Sequence, residues 1–298
     1  MEIVFDIYKY NFMQQLKIFI ELTRLNKPIG FMLLFWPCSW GLAYAYNLSQ
    51  DLYTFLYYSL LFFLGSVLMR SAGCIFNDIV DKDLDKKVQR TKLRPIPAGK
   101  ISVKKSFFYI VSLCTLAFLI LIQFNFLTIM LGLGSMVLAF SYPFMKRITY
   151  WPQLFLGVTF NWGIIMAWAA INNDITVEII ILYVSAIFWT LGYDTIYGAQ
   201  DIIDDEIIGV KSTSIKFKSM LKKFVFLCYT SSFLILLLFF YFNMNSIFFL
   251  FPLLGFFATI FYQIYIFDKR KPKTCMQAFK VNNFSGFYLF LTFLTFSL

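Results

Sequence analysis

The chain of 298 residues contains no histidine, and only 14% of its side chains are charged. Without histidine the commonest general base and the commonest zinc ligand are missing. Any Ser-His-Asp or Cys-His nucleophile goes with them. Cysteine is sparse as well: Cys38, Cys74, Cys114, Cys228 and Cys275 are scattered and form no Cys-x-x-Cys pair. Most sit in or beside apolar runs, where cysteine behaves as a small hydrophobe, so neither a disulfide framework nor a thiolate metal site is expected. The shortage of charge excludes more. Soluble domains carry roughly 25% charged and 45–50% apolar residues, whereas this chain is 60% hydrophobic with a mean hydropathy of +0.71. Neither an ordinary soluble globule nor a disordered chain fits.

What is present is a series of long apolar runs, and a membrane-spanning helix needs about 20 such residues. Candidate spans fall near 29–48, 54–76, 106–123, 126–144, 152–172, 176–196, 222–242, 246–267 and 281–298, with breakers at Asn47–Asp51, Asn125, Asn172–Asp174 and Asn243–Asn245. The fold class expected is therefore an all-α polytopic membrane protein with nine transmembrane helices, forming one domain over 1–298. The 26 Lys and Arg residues all fall in the N-terminal segment, near the end of the second span, or in the loops after the second, fourth, sixth and eighth spans. The alternate turns hold only Asp51, Asp174 and Glu178. By the positive-inside rule the N-terminus and the basic loops face the cytoplasm. The net charge of +10 thus reports topology, and no nucleic-acid partner is expected. Residues 1–25 lack the pattern of a signal peptide; Phe5, Phe12, Leu16 and Ile20, mixed with Lys9 and Lys17, fit an interfacial amphipathic helix or a solvated tail.

Two acidic runs interrupt the apolar pattern. Asn77-Asp78-Ile79-Val80-Asp81-Lys82-Asp83-Leu84-Asp85 follows the second span, and Asp194 to Asp205 follows the sixth. If the helices continue through them at about 100° per residue, Asn77, Asp81, Asp85 and Asp78 share one face and Asp83 points away. Asp194, Tyr197, Asp201, Asp204 and Asp205 share another. Both runs lie on the cytoplasmic side by the charge distribution. Carboxylates this dense raise one another's pKa or require a cation, and an oxygen-only set suits Mg²⁺ completed by water and phosphate oxygens. Arg90, Arg94, Lys146 and Lys211 stand near the two runs, so a diphosphate is the ligand class they fit. The competing readings are solvated loops and the ion sites of a cation transporter, although transporter sites usually lie near the bilayer midplane.

At these residues the chain resembles the UbiA family of intramembrane aromatic prenyltransferases. The family pattern NDxxDxxxD followed by RTxxRP stands here as Asn77, Asp78, Asp81, Asp85, Arg90, Thr91, Arg94 and Pro95. The pattern DxxYxxxDxxDD leading to GxKST stands as Asp194, Tyr197, Asp201, Asp204, Asp205, Gly209, Lys211, Ser212 and Thr213. Tyr142-Pro143-Phe144-Met145-Lys146-Arg147 resembles the family's YPxxKR element. Arg24 to Gly30, Trp36-Pro37 and Tyr193 to Tyr197 look most like the members that act on 4-hydroxybenzoate in ubiquinone synthesis.

The resemblance implies nine helices around a central cavity, Mg²⁺ held through both motifs, a polyprenyl diphosphate donor and an aromatic acceptor. It also implies a place in the bacterial inner membrane. On this basis Asn77, Asp81 and Asp85 are expected to hold one Mg²⁺, and Asp194, Asp201 and Asp204 a second, with Asp81, Asp85, Asp194 and Asp201 as the catalytic carboxylates. Arg90, Arg94, Lys146 and Lys211 are expected to bind the diphosphate, and Tyr142 and Tyr197 to face the allylic cation. Arg70, a cation inside a span and so a functional candidate, is expected to pair with the acceptor's carboxylate. Homogentisate, a naphthoate and haem are the alternative acceptors within the family.

Overall fold

A computed structural model describes residues 2–243 and 247–296, and all regular secondary structure among them is helical. The helices are α1 (Glu2–Thr23), α2 (Ile29–Ser49), α3 (Leu52–Val80), the short α4 (Lys82–Asp85), α5 (Val103–Leu121), α6 (Phe126–Ile148), α7 (Pro152–Asn172) and α8 (Val177–Gly198). They are followed by α9 (Ile202–Ile208), α10 (Thr213–Lys216), α11 (Leu221–Asn243), α12 (Leu250–Ile266) and α13 (Pro272–Leu294).

Each apolar run expected to span coincides with one of the long helices α2, α3, α5, α6, α7, α8, α11, α12 and α13. Among the described residues, seven segments are long and apolar enough to cross a membrane: the first six of these helices and Lys218–Tyr241, which includes most of α11. Of the other two, α12 has 17 residues, and α13 starts at Pro272, earlier than the run beginning at 281, so that Lys273 and Lys280 occupy its first turns.

The polar breakers act as helix caps. Asp51 accepts a hydrogen bond from the Thr54 backbone N–H at 3.1 Å, and Asn125 accepts from that of Thr128 at 2.9 Å. Gln50 and Asn173 close α2 and α7 in the left-handed region, where a short polar side chain such as asparagine is tolerated. Of the Asn243–Asn245 breaker, positions 244 and 245 lie outside the described residues. Asn125 also donates to the Ala169 carbonyl at 2.6 Å, tying the α5–α6 turn to the end of α7.

The N-terminal segment forms a helix. The side chains of Phe5, Lys9 and Phe12 lie outside the described residues, but the rest of α1 docks on the bundle: Ile18 and Leu22 are buried and Phe19 meets Tyr109 edge-on at 5.1 Å. From Met13 onward it is therefore no free tail. In the bundle α2 packs on α3, α7 and α13, while α8 packs on α7 and α11. Small residues permit the closest of these crossings. A Cβ on Gly41 would press into the Ile164 carbonyl of α7, and such sites let spanning helices approach closely.

Candidate active site

The two acidic runs do not continue the helices before them; both break at an aspartate. Helix α3 ends at Val80 and Asp81 (φ −95°, ψ 7°) turns the chain into α4. Helix α8 ends at Gly198, and Asp201 (φ −111°, ψ 8°) leads into α9. Both aspartates adopt a sparsely populated bridge conformation that active-site residues often use. The next turns match as well: the Asp85 N–H donates to the Asp81 carbonyl at 2.8 Å, and the Asp205 N–H donates to that of Asp201 at 2.8 Å. The breaks thus pair Asp81 and Asp85 with Asp201 and Asp205.

This changes which carboxylates converge. A cavity of about 1560 Å³ is lined by Asn77, Asp81, Asp85, Asp194, Asp201 and Asp205, but not by Asp83 or Asp204. Asp204 is expected as a ligand on the resemblance; Asp205, which the helical spacing places on the same face, is the one of the two that reaches the wall. Arg70, Arg90, Arg94, Tyr142, Lys146, Tyr197 and Lys211, all named from the sequence, also line the cavity.

Basic side chains hold the carboxylates in place. Arg94 donates to Asp78 at 3.0 Å and to Asp85 at 2.9 Å, and Arg24 reaches Asp78 from the end of α1. Lys146 pairs with Asp81, and Arg147 donates to the Val80 carbonyl at 2.7 Å. Arg90 grips Asp201 with Nε, at 2.9 and 3.0 Å to the two oxygens, and with Nη2, while its Nη1 donates to Tyr197 at 3.2 Å. Such forked contacts are among the strongest hydrogen bonds. Because Arg90 belongs to the first motif's loop and Asp201 to the second, this contact joins the two runs at one end of the bundle. Lys211 follows: its N–H donates to the Lys146 carbonyl at 2.8 Å and its Nζ to that of Ile148 at 3.2 Å.

Burial pushes the Asp81 carboxyl above its ordinary pKa, against the opposing pull of Lys146. Burial, reinforced by the neighbouring Asp201, pushes Asp205 up to about 7. Protonated or ion-paired, these groups avoid the repulsion that their density would otherwise create. No cluster of three or more acidic, cysteine or histidine groups is drawn together as a metal cage among the described residues. The donor set still suits Mg²⁺, which is usually bound through one or two carboxylates, with waters and substrate phosphates filling its shell.

Below this polar end the cavity turns apolar, with Phe107, Val111, Phe118, Phe140 and Met166 in its walls. Phe107, Val111 and Phe118 are also exposed, so the cavity reaches the outer surface of the bundle along α5. Arg70 lies among the spans with its guanidinium 5.2 Å from the centre of the Phe160 ring and beside Gly30, where a Cβ would come within 3.0 Å of its Nε. The individual residues gave no sign of three contributors. Arg24, Arg147 and Phe160 act through partners far away in the chain; the weak signals were that Arg24 stands in the RLNKP segment and Arg147 in the YPxxKR element.

Residues 34–292 match the UbiA prenyltransferase family. The chain is 42% identical over 281 residues to the mitochondrial 4-hydroxybenzoate polyprenyltransferase of Bos taurus, covering 92% of this chain and 73% of that one. It is 39% identical to the 4-hydroxybenzoate octaprenyltransferase of Aliivibrio fischeri, covering 94% and 96%. A 45% identical match to the Caenorhabditis elegans 4-hydroxybenzoate polyprenyltransferase takes in 70% of this chain and 59% of that relative's length. Among solved structures, the apo UbiA homolog from Aeropyrum pernix K1 superposes with a TM-score of 0.73 at 18% identity, covering 90% of this chain and 98% of that one. The Archaeoglobus fulgidus UbiA homolog bound to GPP and Mg²⁺ gives 0.67 at 15% identity, covering 94% and 100%. On the match over most of its length, and on a helical fold shared with those structures, the chain belongs to the UbiA prenyltransferase family.

Proposed function

We propose that this protein transfers a polyprenyl group from polyprenyl diphosphate to the ring carbon beside the hydroxyl of 4-hydroxybenzoate, with Mg²⁺ as cofactor. The observation that carries this reading is the Arg90–Asp201 contact, which brings both acidic motifs and their bases to one mouth of an otherwise apolar cavity. A charged headgroup and a long hydrocarbon tail fit those two ends. The names of the relatives from Bos taurus and Aliivibrio fischeri support the acceptor. The Mg²⁺ in the Archaeoglobus fulgidus structure supports the cofactor.

Asn77, Asp81, Asp85, Asp201 and Asp205 would hold the metal. Bound there, Mg²⁺ supplies Lewis-acid neutralisation of the charge that grows on the departing diphosphate. Arg90, Arg94, Lys146 and Lys211 leave their present partners to bind the outer phosphate oxygens. Arg70 fixes the carboxylate of the acceptor. Tyr142 and Tyr197 present ring faces toward the allylic cation, where a π system attracts positive charge. The helices and the loops over the mouth exclude water, which would otherwise capture that cation. The setting proposed is a bacterial cytoplasmic membrane, with the basic loops and the diphosphate end on the cytoplasmic side, as the distribution of Lys and Arg supports.

The test is direct. Purified protein supplied with Mg²⁺, a polyprenyl diphosphate and 4-hydroxybenzoate should yield the prenylated acid, and chelation should stop it. Asp81→Ala combined with Asp201→Ala should lower turnover at least about 10³-fold, as removal of a unit of catalytic machinery does. Undiminished turnover in that double variant would sink the assignment.

A further inference from the structure

A second hollow lies between α11 and α12, and it shares no lining residue with the large cavity. Helix α11 packs chiefly on α8 and α12 chiefly on α13, and the two meet each other less extensively. Within the bundle the Tyr229 hydroxyl donates to Gln263 at 2.5 Å. At the end that carries the basic loops, Lys269 Nζ donates to the Lys218 carbonyl at 2.6 Å. Near that end lies an open groove of about 840 Å³, walled by Met220, Lys222 and Lys223 on one side and by Tyr265, Lys269 and Arg270 on the other.

Its charge is one-sided. Four bases line it against one acid, Asp268, whose carboxylate already accepts a hydrogen bond from the Arg270 backbone N–H at 3.0 Å. Lys269 is engaged with Lys218, and Lys218 pairs with Glu206 at 2.7 Å. The side chains of Lys222, Lys223 and Arg270 have no hydrogen-bonded or ion-paired partner among the described residues. Lys222 rests 5.2 Å from the centre of the buried Phe267 ring, which holds its ammonium at the groove. The rule that sets topology accounts for the number of bases at this end, but it requires no groove to receive them.

Beyond the bases both helices turn apolar. Phe226 and Leu227 follow Lys222 and Lys223 by one helical turn, and Phe261 and Tyr262 precede Tyr265 by one. Each pair thus continues the same face toward the bilayer, and all four side chains are about half exposed. A ligand that satisfies this surface has an anionic head at the helix ends and an apolar body along their shafts.

We propose that the groove between α11 and α12 binds an anionic phospholipid, with its phosphate among Lys222, Lys223 and Arg270 and its acyl chains along the apolar faces beyond them. Basic pockets between spanning helices take acidic lipid headgroups in this way. The site stands apart from the transfer chemistry and does not depend on which acceptor the protein prenylates.

The experiment is native mass spectrometry of the full chain released from detergent micelles, titrated with phosphatidylglycerol or with phosphatidylcholine of matched acyl chains. The first phosphatidylglycerol should bind at least about tenfold more tightly than the first phosphatidylcholine, since each base near a membrane surface is worth about fivefold in affinity for an acidic lipid. Lys222→Gln, Lys223→Gln and Arg270→Gln combined should bring the two lipids within about twofold of each other. The same charge removed from exposed bases after α3, by Lys87→Gln, Lys92→Gln and Lys104→Gln, should leave the preference intact. If the groove triple fails to fold, Lys222→Gln alone should lower the preference about threefold. Equal binding of the two lipids by the native chain would overturn the proposal. An equal loss in the control triple would overturn it as well, by making the attraction diffuse, and displacement of phosphatidylglycerol by excess inorganic phosphate would do so in favour of a soluble anion.

Discussion

One half of the bundle is packed and the other is open. In α2, α7 and α8 the spanning stretches are 61%, 56% and 67% buried, but in α5 and α6 only 17% each. The packed half interlocks aromatic rings: Tyr44 stacks on Trp168 at 4.9 Å, Trp40 meets Trp189 at 5.1 Å, and Phe240 stacks on Phe249 at 4.8 Å. A polar chain also crosses this half, from Tyr229 through Gln263 to Asn282. The open half spends its side chains on the cavity and the lipid. The difference teaches that stability and substrate space are separated within one bundle: closely packed helices hold the ends of α3 and α8 in place, and loosely packed ones leave room for a long chain.

That separation can be broken by substitution, and the largest effect should fall in the packed half. Trp168→Ala removes the ring under Tyr44 and the hydrogen bond to Asp174 and should cost about 3–5 kcal/mol, read as a lowered midpoint of thermal unfolding in detergent. Arg24→Ala should cost less, about 1–3 kcal/mol, since Asp78, which is 1% exposed, keeps Arg94. In the open half, Cys114→Trp should change stability by under about 1 kcal/mol. Because Cys114 lines the apolar part of the cavity, the same change should shift turnover toward shorter prenyl donors in a competition assay. An equal loss of stability from Cys114→Trp and Trp168→Ala would abolish the distinction between the halves.

The smallest effect concerns pH. The Asp205 carboxyl is raised from its ordinary 3.8 to about 7, so the folded chain binds the extra proton between those values. Its contribution to stability therefore declines as the pH rises through that window. Binding of a Mg²⁺–diphosphate needs the ionised form and should strengthen as the pH passes about 7. Asp205→Asn should flatten that rise in a calorimetric titration, while Asp204→Asn, at a position outside the cavity wall, should leave it in place.

Much of the architecture was legible because a membrane protein writes its helices in hydropathy and its turns in Asn and Asp; Asp51 and Asn125, read as breakers between spans, cap the helices that follow them. The chemistry was legible for a related reason: charges stand out in an apolar chain, and every named base proved to line the cavity. The backbone breaks at Asp81 and Asp201 were hidden, since both runs read as acceptable helix. The choice of Asp204 over Asp205 comes instead from the resemblance, since the helical spacing puts both on one face. Pairings such as Arg24 with Asp78, separated by 54 residues, follow from the packing of α1 on α3 and leave no periodic trace in the sequence.

The ion pairs at the mouth carry a consequence for how the site fills. Asp81, Asp85 and Asp201 are already neutralised by Lys146, Arg94 and Arg90, so free Mg²⁺ arriving alone would have to evict a base, and a lone diphosphate would have to evict an acid. A metal–diphosphate complex brings both missing counterparts at once, and the total charge of the site hardly changes as old couples separate and new ones form. The protein should accordingly ignore either solute by itself and answer sharply to the two together, like a lock that turns only when both keys are inserted.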